Sequence, residues 1–312
     1  MNERVPRHFS LGGLGIGTCV LGVGLVLAGC AAPTNESDPD PMNETSVEDD
    51  ASSLAISLDP CAKPNLTTVE PGALTFVTSA VPAPPYFLSD DPADRLGLEA
   101  DLAYLLAEQL GFRPAEVIWE LIPAEQILSG EFTAFDVALG GFSAIDADAS
   151  AVDFTRPYLI RDTVVIAEND DVRNALQGSP ADEGDGPEPR SLRWGSSAHG
   201  VDDRDLVARG WDLSQVGTFV GAQELLSGGS AWTASEVVVT DDAHATWLQE
   251  IAGESPRSVS GVEPPPLQYS LALVRGNPLQ PCIDRALGEM SEAGTLDDLE
   301  NRWLDPRAWS ED

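Results

Sequence analysis

Short apolar runs alternate with helix-period segments twice along this chain, and that alternation restricts the fold more than any other feature. Residues 74–78, 117–121, 135–139 and 163–167 read as strands, rich in β-branched and aromatic side chains and bounded by turn signals. Between them, Leu98, Leu102, Leu105, Leu106 and Leu110 recur at the spacing of one helical face before Gly111 stops the pattern, and a second helix is expected near residues 124–129. Strand–helix–strand order of this kind builds a mostly parallel sheet covered by helices, so the fold class is α/β. Residues 177–190, with three Pro and three Gly among acids, form a loop with no core of its own. A second α/β pattern then starts at residues 192–195. It continues through a helix near 201–209, a strand at 217–219, a helix at 222–226 and a strand at 236–240. Asp241 and Asp242 follow that strand and open a helix, with an acid placed to cap it. Residues 269–274 are one more strand. Two helices close the chain, one entering at Pro281 and one with a capping-box-like start at Thr295.

A length of 312 residues leaves room for two such units. The net charge of −35, from 52 acidic against 17 basic residues, repels nucleic acid and anionic lipid and favours cations wherever the acids converge. The N-terminus fixes the compartment. Arg4 and Arg7 precede an uncharged Gly/Leu/Val run that ends in Leu27-Ala28-Gly29-Cys30. That tetrapeptide resembles the bacterial lipobox, which implies a signal peptide over residues 1–29 and lipidation of Cys30 at the outer face of the cell membrane; a plain signal anchor is the other reading. Residues 30–60 are acidic and nearly free of large apolar side chains before Leu54, the composition of a disordered tether. Cys61 and Cys282 are then left over. Export favours pairing them, worth up to about 5 kcal/mol in the loop-entropy model, although two unrelated thiols satisfy the same count.

The stretch at residues 142–158 combines a small polar turn (Phe142-Ser143-Ala144-Ile145), the acids Asp146, Asp148 and Asp153, with Asp136 upstream, and an apolar exit ending in Pro157-Tyr158. It resembles the corresponding segment of the family 3 extracellular solute-binding proteins of actinobacterial type, the receptors of polar amino-acid ABC importers. Three further stretches carry the same resemblance: Gly97 to Leu102, 221–245, and Gly294 to Leu304. The paired cysteines also stand where such members place theirs. The resemblance implies a type II periplasmic-binding-protein fold, with lobe 1 at residues 61–166 and 269–312, lobe 2 at 167–268, and two crossovers between them. It implies a monomer with a small-molecule ligand and a membrane permease as partners, without cofactor, metal or nucleic acid.

It also implies site residues. Asp241 stands at the family's ammonium-binding aspartate and Tyr86 at its stacking aromatic. Counting five from Ser143 places Asp148 where the family has its carboxylate-gripping arginine, and His199 with Gly200 replaces a further carboxylate contact. A ligand carboxylate facing Asp148 would be repelled. The expected ligand is therefore a small polar solute of the cationic amine type, held by Asp241, Tyr86 and Asp148. If Asp148 instead faces solvent, Arg156 or Arg161 remains to meet a carboxylate. A sensor or degenerate receptor that binds a protein partner is the alternative function. An acid–base enzyme built on Asp146 and Asp148 lacks any visible nucleophile–histidine pairing, and a metal site from His199, His244 and Asp241 is a weaker reading.

Overall fold

The computed structural model describes residues 59–79, 81–144, 150–177, 192–196, 236–252, 257–260 and 265–305. The stretch expected to be a signal peptide, Cys30, most of the expected tether, Asp146, Asp148, His199 and the elements expected between residues 201 and 226 lie outside them.

Two sheets organise the described chain. The first has the order β2-β1-β3-β9-β4, built from β1 (Leu74–Thr78), β2 (Val117–Leu121), β3 (Val137–Ala138), β4 (Val152–Arg161) and β9 (Leu267–Val274). Here β1 runs parallel to β2 and β3, while β9 is antiparallel to β3 and β4. The second has the order β6-β7-β5-β8, from β5 (Thr163–Ala167), β6 (Trp194–Ser196), β7 (Val237–Asp241) and β8 (Arg257–Ser258). The α/β class is as the alternation predicts, but the sheets are not mostly parallel: among the described residues three strand pairings are parallel and four antiparallel.

Helices cover both faces of the first sheet, which is why every residue of β1 is buried. On one face lie α1 (Leu98–Gln109), α5 (Gln280–Glu292) and α6 (Thr295–Trp303), packed over Leu74, Phe76, Val137, Leu139, Leu271 and Leu273. On the other, α2 (Ala124–Ser129) covers Val77, Ala138, Phe142 and Ala272. The second sheet carries α3 (Asp170–Gln177) on a smaller core of Val165, Ala167, Val172, Trp194, Val237 and Val239. α4 (Asp242–Ala252) leaves the end of β7. A disulfide joins Cys61 to Cys282 with their Cα atoms 5.3 Å apart, tying the start of the folded chain to α5.

Three further expectations need correction. β5 pairs with β7 and β8, so the chain changes sheet at Asp162, four residues before the expected boundary, and Leu267 and Gln268 already belong to the first sheet on return. The run at 135–139 contracts to a two-residue strand because Asp136, 1 % exposed, turns inward and accepts hydrogen bonds from Val69 N and Thr75 N, both at 2.8 Å. Thr295 does not cap α6. Gly294, at φ +77°, is the capping residue and Thr295 is the first residue of the helix.

Candidate functional site

The two chain passages between the sheets run side by side: Arg161 pairs with Leu267 across β4 and β9, and the Thr163 hydroxyl donates to Pro265 O. Around this junction converge the segment after β1, the start of α1, the turn after β3, the end of β7 and the start of β9. Strand ends and helix starts in such crevices present unpaired backbone groups, which is where α/β proteins hold ligands.

Asp241 ends β7 and is fully buried, at 0 % exposure. Its carboxylate caps α4 by accepting from His244 N at 2.8 Å, as expected of an acid in that place. The other oxygen accepts from His244 Nδ1 at 2.9 Å and from the Tyr269 hydroxyl at 2.5 Å. Burial opposes its ionisation, but the imidazole and these donors win and hold the carboxyl at about 2, below its ordinary value. Tyr86 closes the cluster, with its ring centroid 4.9 Å from that of His244 and 5.3 Å from that of Tyr269. Its hydroxyl lies near Asp241 and Tyr269, out of line for a well-formed hydrogen bond. Burial first, and the Asp241 charge second, push the Tyr86 and Tyr269 phenols well above their ordinary range, so both stay neutral donors.

A second acid lies on the first-sheet side. Glu99, in the first turn of α1, is fully buried; its Oε1 accepts from the Tyr158 hydroxyl at 2.5 Å and from Gly141 N at 3.1 Å. Among the described residues its Oε2 has no hydrogen-bond partner, and neither do Thr78 Oγ1 and Ser270 Oγ. Each buried polar atom left so costs about 1–3 kcal/mol, and together they are groups that a polar ligand would complete.

Burial raises Glu99 to about 7, against the opposing pull of Tyr158 and Gly141. The folded protein therefore keeps a proton between pH 4.5 and 7 that the unfolded chain releases. Stability from this group is fully present below 4.5 and falls, by up to about 3 kcal/mol, as pH rises through 7. Glu99→Gln keeps an oxygen for Tyr158 and removes the titration. Urea denaturation is expected to show the variant about 2 kcal/mol more stable than wild type at pH 8 and nearly equal at pH 4.5. Parallel pH profiles for the two proteins would contradict this assignment.

Of the residues expected from sequence, Tyr86 and Asp241 are brought together. Ser143 is buried, at 2 % exposure, in the turn whose Gly141 N–H serves Glu99 and whose Phe142 carbonyl accepts from Ser270 N. Asp148, His199 and Cys30 lie outside the described residues. Arg161 is committed elsewhere: Nε and Nη2 pair with both oxygens of Asp242 at 2.8 and 2.5 Å, and Nη1 reaches Glu300 at 3.4 Å. The Arg156 guanidinium packs against Gly288 of α5. Glu99, Tyr158 and Tyr269 escape sequence reasoning as site residues, and His244 enters it only as a metal ligand. The one signal available is Glu99, a carboxylate among the apolar positions that α1 buries. Among the described residues there is no cluster of His, Cys, Asp and Glu able to hold a metal ion, and no helix long and apolar enough to cross a membrane.

No curated protein matches the chain significantly. Solved structures share its fold. An ancestral arginine-binding protein bound to arginine aligns at 22 % identity over 75 % of this chain and 99 % of its own, with a TM-score of 0.51. A mutant of ArgBP from T. maritima aligns at 20 % identity over 74 % and 95 %, with a TM-score of 0.53. A His/Glu/Gln/Arg/opine family-binding protein from Silicibacter pomeroyi, in complex with lysine, aligns at 17 % identity over 74 % and 97 %, with a TM-score of 0.51. The mixed α/β architecture is that of the type II periplasmic-binding-protein fold of these neighbours. With the family model matching residues 74–306, the chain belongs to the bacterial extracellular solute-binding proteins, family 3.

Proposed function

We propose that this protein is a lipid-anchored extracytoplasmic receptor that delivers a small polar solute of the cationic amine type to an ABC importer. Cys30 would carry the anchor, the acidic segment behind it would be the tether, and two lobes, one around each sheet, would close on the ligand. The observation that carries the reading is the Asp241 cluster: an ionised, fully buried carboxylate between Tyr86 and Tyr269, where units built on different sheets meet. A buried negative charge flanked by aromatic rings is a seat for a cation. Glu99 adds a second carboxyl on the opposite side, and the sequence supplies Asp148 in place of the carboxylate-gripping arginine. Structural neighbours that hold arginine and lysine are consistent with a cationic ligand.

A thermal-shift screen of the full-length protein in detergent tests the reading. Agmatine and putrescine are expected to raise the melting temperature, while glutamine and glutamate leave it unchanged. Stabilisation by a neutral or acidic amino acid in preference to the amines would contradict it. One observation favours a second reading, a sensor or degenerate receptor for a protein partner: Asp241 already accepts three hydrogen bonds from the protein itself. A melting temperature that no small molecule shifts would support that reading.

A further inference from the structure

We infer that His244 sets how strongly the site takes a cation, because its imidazole already occupies the place on Asp241 that a ligand's ammonium would use. The inference rests on the amine reading above. His244 stands in the first turn of α4, three residues after Asp241, so the pair is formed within one segment and needs no contact from the first sheet. The imidazole is buried, at 3 % exposure, and its Nδ1 lies 2.9 Å from Asp241 Oδ2 while its backbone N holds Oδ1 at 2.8 Å. The ring is tilted 56° against the Tyr86 ring at 4.9 Å, where an aromatic face would receive a ligand cation.

A carboxylate offers about four lone-pair sites. Three are taken here, two by His244 and one by the Tyr269 hydroxyl. An arriving ammonium therefore meets an oxygen already hydrogen-bonded by the protein and has to displace the imidazole, or share the carboxylate with it. Among the described residues, the titratable groups facing His244 are Asp241 beside it and Glu99 from α1, with Tyr86 and Tyr269 as neutral phenols; Arg161, which interacts with Asp241, is held by Asp242 and Glu300. His244 is thus the side chain whose ring nitrogen holds Asp241 Oδ2, and removing it should open the seat.

Calorimetric titration of the full-length protein with agmatine tests this. His244→Ala is expected to bind agmatine about tenfold tighter than wild type or better, since one competing hydrogen bond to a carboxylate is worth roughly that factor. The same variant should melt at a lower temperature, because Asp241 loses its partner. The opposite signs distinguish this role from a purely structural one, which would weaken binding and stability together. His244→Gln keeps bulk and a neutral donor and is expected to tighten binding by a smaller factor; it decides the matter if the alanine variant does not fold. If wild type binds agmatine and the variants bind it equally or more weakly, the assignment of His244 is overturned while the amine reading stands. If none of the three binds agmatine, both are overturned.

Discussion

Asp241→Asn is expected to weaken binding of an amine about 100-fold or more and to cost the fold about 3 kcal/mol. The binding loss follows from removing the charged member of a desolvated pair, an effect of about 2–5 kcal/mol. The stability loss follows from the hydrogen-bond pattern. Asparagine can still offer one oxygen to His244 N, but its amide then faces His244 Nδ1 and the Tyr269 hydroxyl, which both donate to the aspartate. The Tyr269 hydroxyl must then turn to accept, or His244 must change tautomer, and losing hydrogen bonds to a buried charged group costs about 3 kcal/mol. Titration with agmatine and urea denaturation of the same preparation separate the two losses. Unchanged agmatine affinity in a folded Asp241→Asn protein would show that the carboxylate is structural.

Gly97→Ala is expected to destabilise the protein by about 4 kcal/mol and to lower amine affinity with it. Gly97 precedes α1 at φ +109° and ψ 161°, a conformation open to glycine and closed to L side chains. A Cβ there would stand 2.3 Å from Tyr86 O and 2.9 Å from Phe87 Cα, both backbone atoms that a rotamer change cannot move. The close approach is what joins the loop to the helix: Leu98 N and Glu99 N, unpaired within α1, donate to Pro85 O and Tyr86 O. One backbone contact therefore positions Tyr86 and Glu99 together, and an intruding methyl separates them. Gly72→Ala is the control, at φ +86° with nothing within 4 Å of its Cβ, where the expected cost is only the conformational strain of about 1–2 kcal/mol. Equal losses at the two glycines would mean that the contact with Tyr86 is unimportant.

Much of the framework is readable from local pattern. Strands Leu74–Thr78, Val117–Leu121 and Thr163–Ala167 and helix Ala124–Ser129 fall where β-branched runs, turns and helical spacing place them. What local pattern cannot carry is partnership. β4 and β5 are separated by Asp162 alone and look alike as sequences, yet they pair in different sheets, so the boundary between the two units was displaced by four residues. Asp136 reads as one more acid of a charged stretch and proves to be an internal clasp for two backbone amides.

The site shows the same division. Tyr86 and Asp241 were legible because they sit in stretches with a recognisable wording. Glu99 and Tyr158 lie in such stretches too, but their hydrogen bond joins residues 59 positions apart, and Tyr269 reaches Asp241 across 28, so their roles appear only in the fold. His244 differs: its contact with Asp241 is local, three residues on, and the sequence pairs the two only as metal ligands.

The central claim, that the site takes a carboxylate-free amine, is tested most directly by titrating wild-type protein with agmatine and with arginine, which differ only by the α-carboxylate. The expected result is agmatine binding at least about tenfold tighter, the loss anticipated for one ligand carboxylate with no cationic partner. Tighter binding of arginine would contradict the claim and return the site to the conventional amino-acid mode.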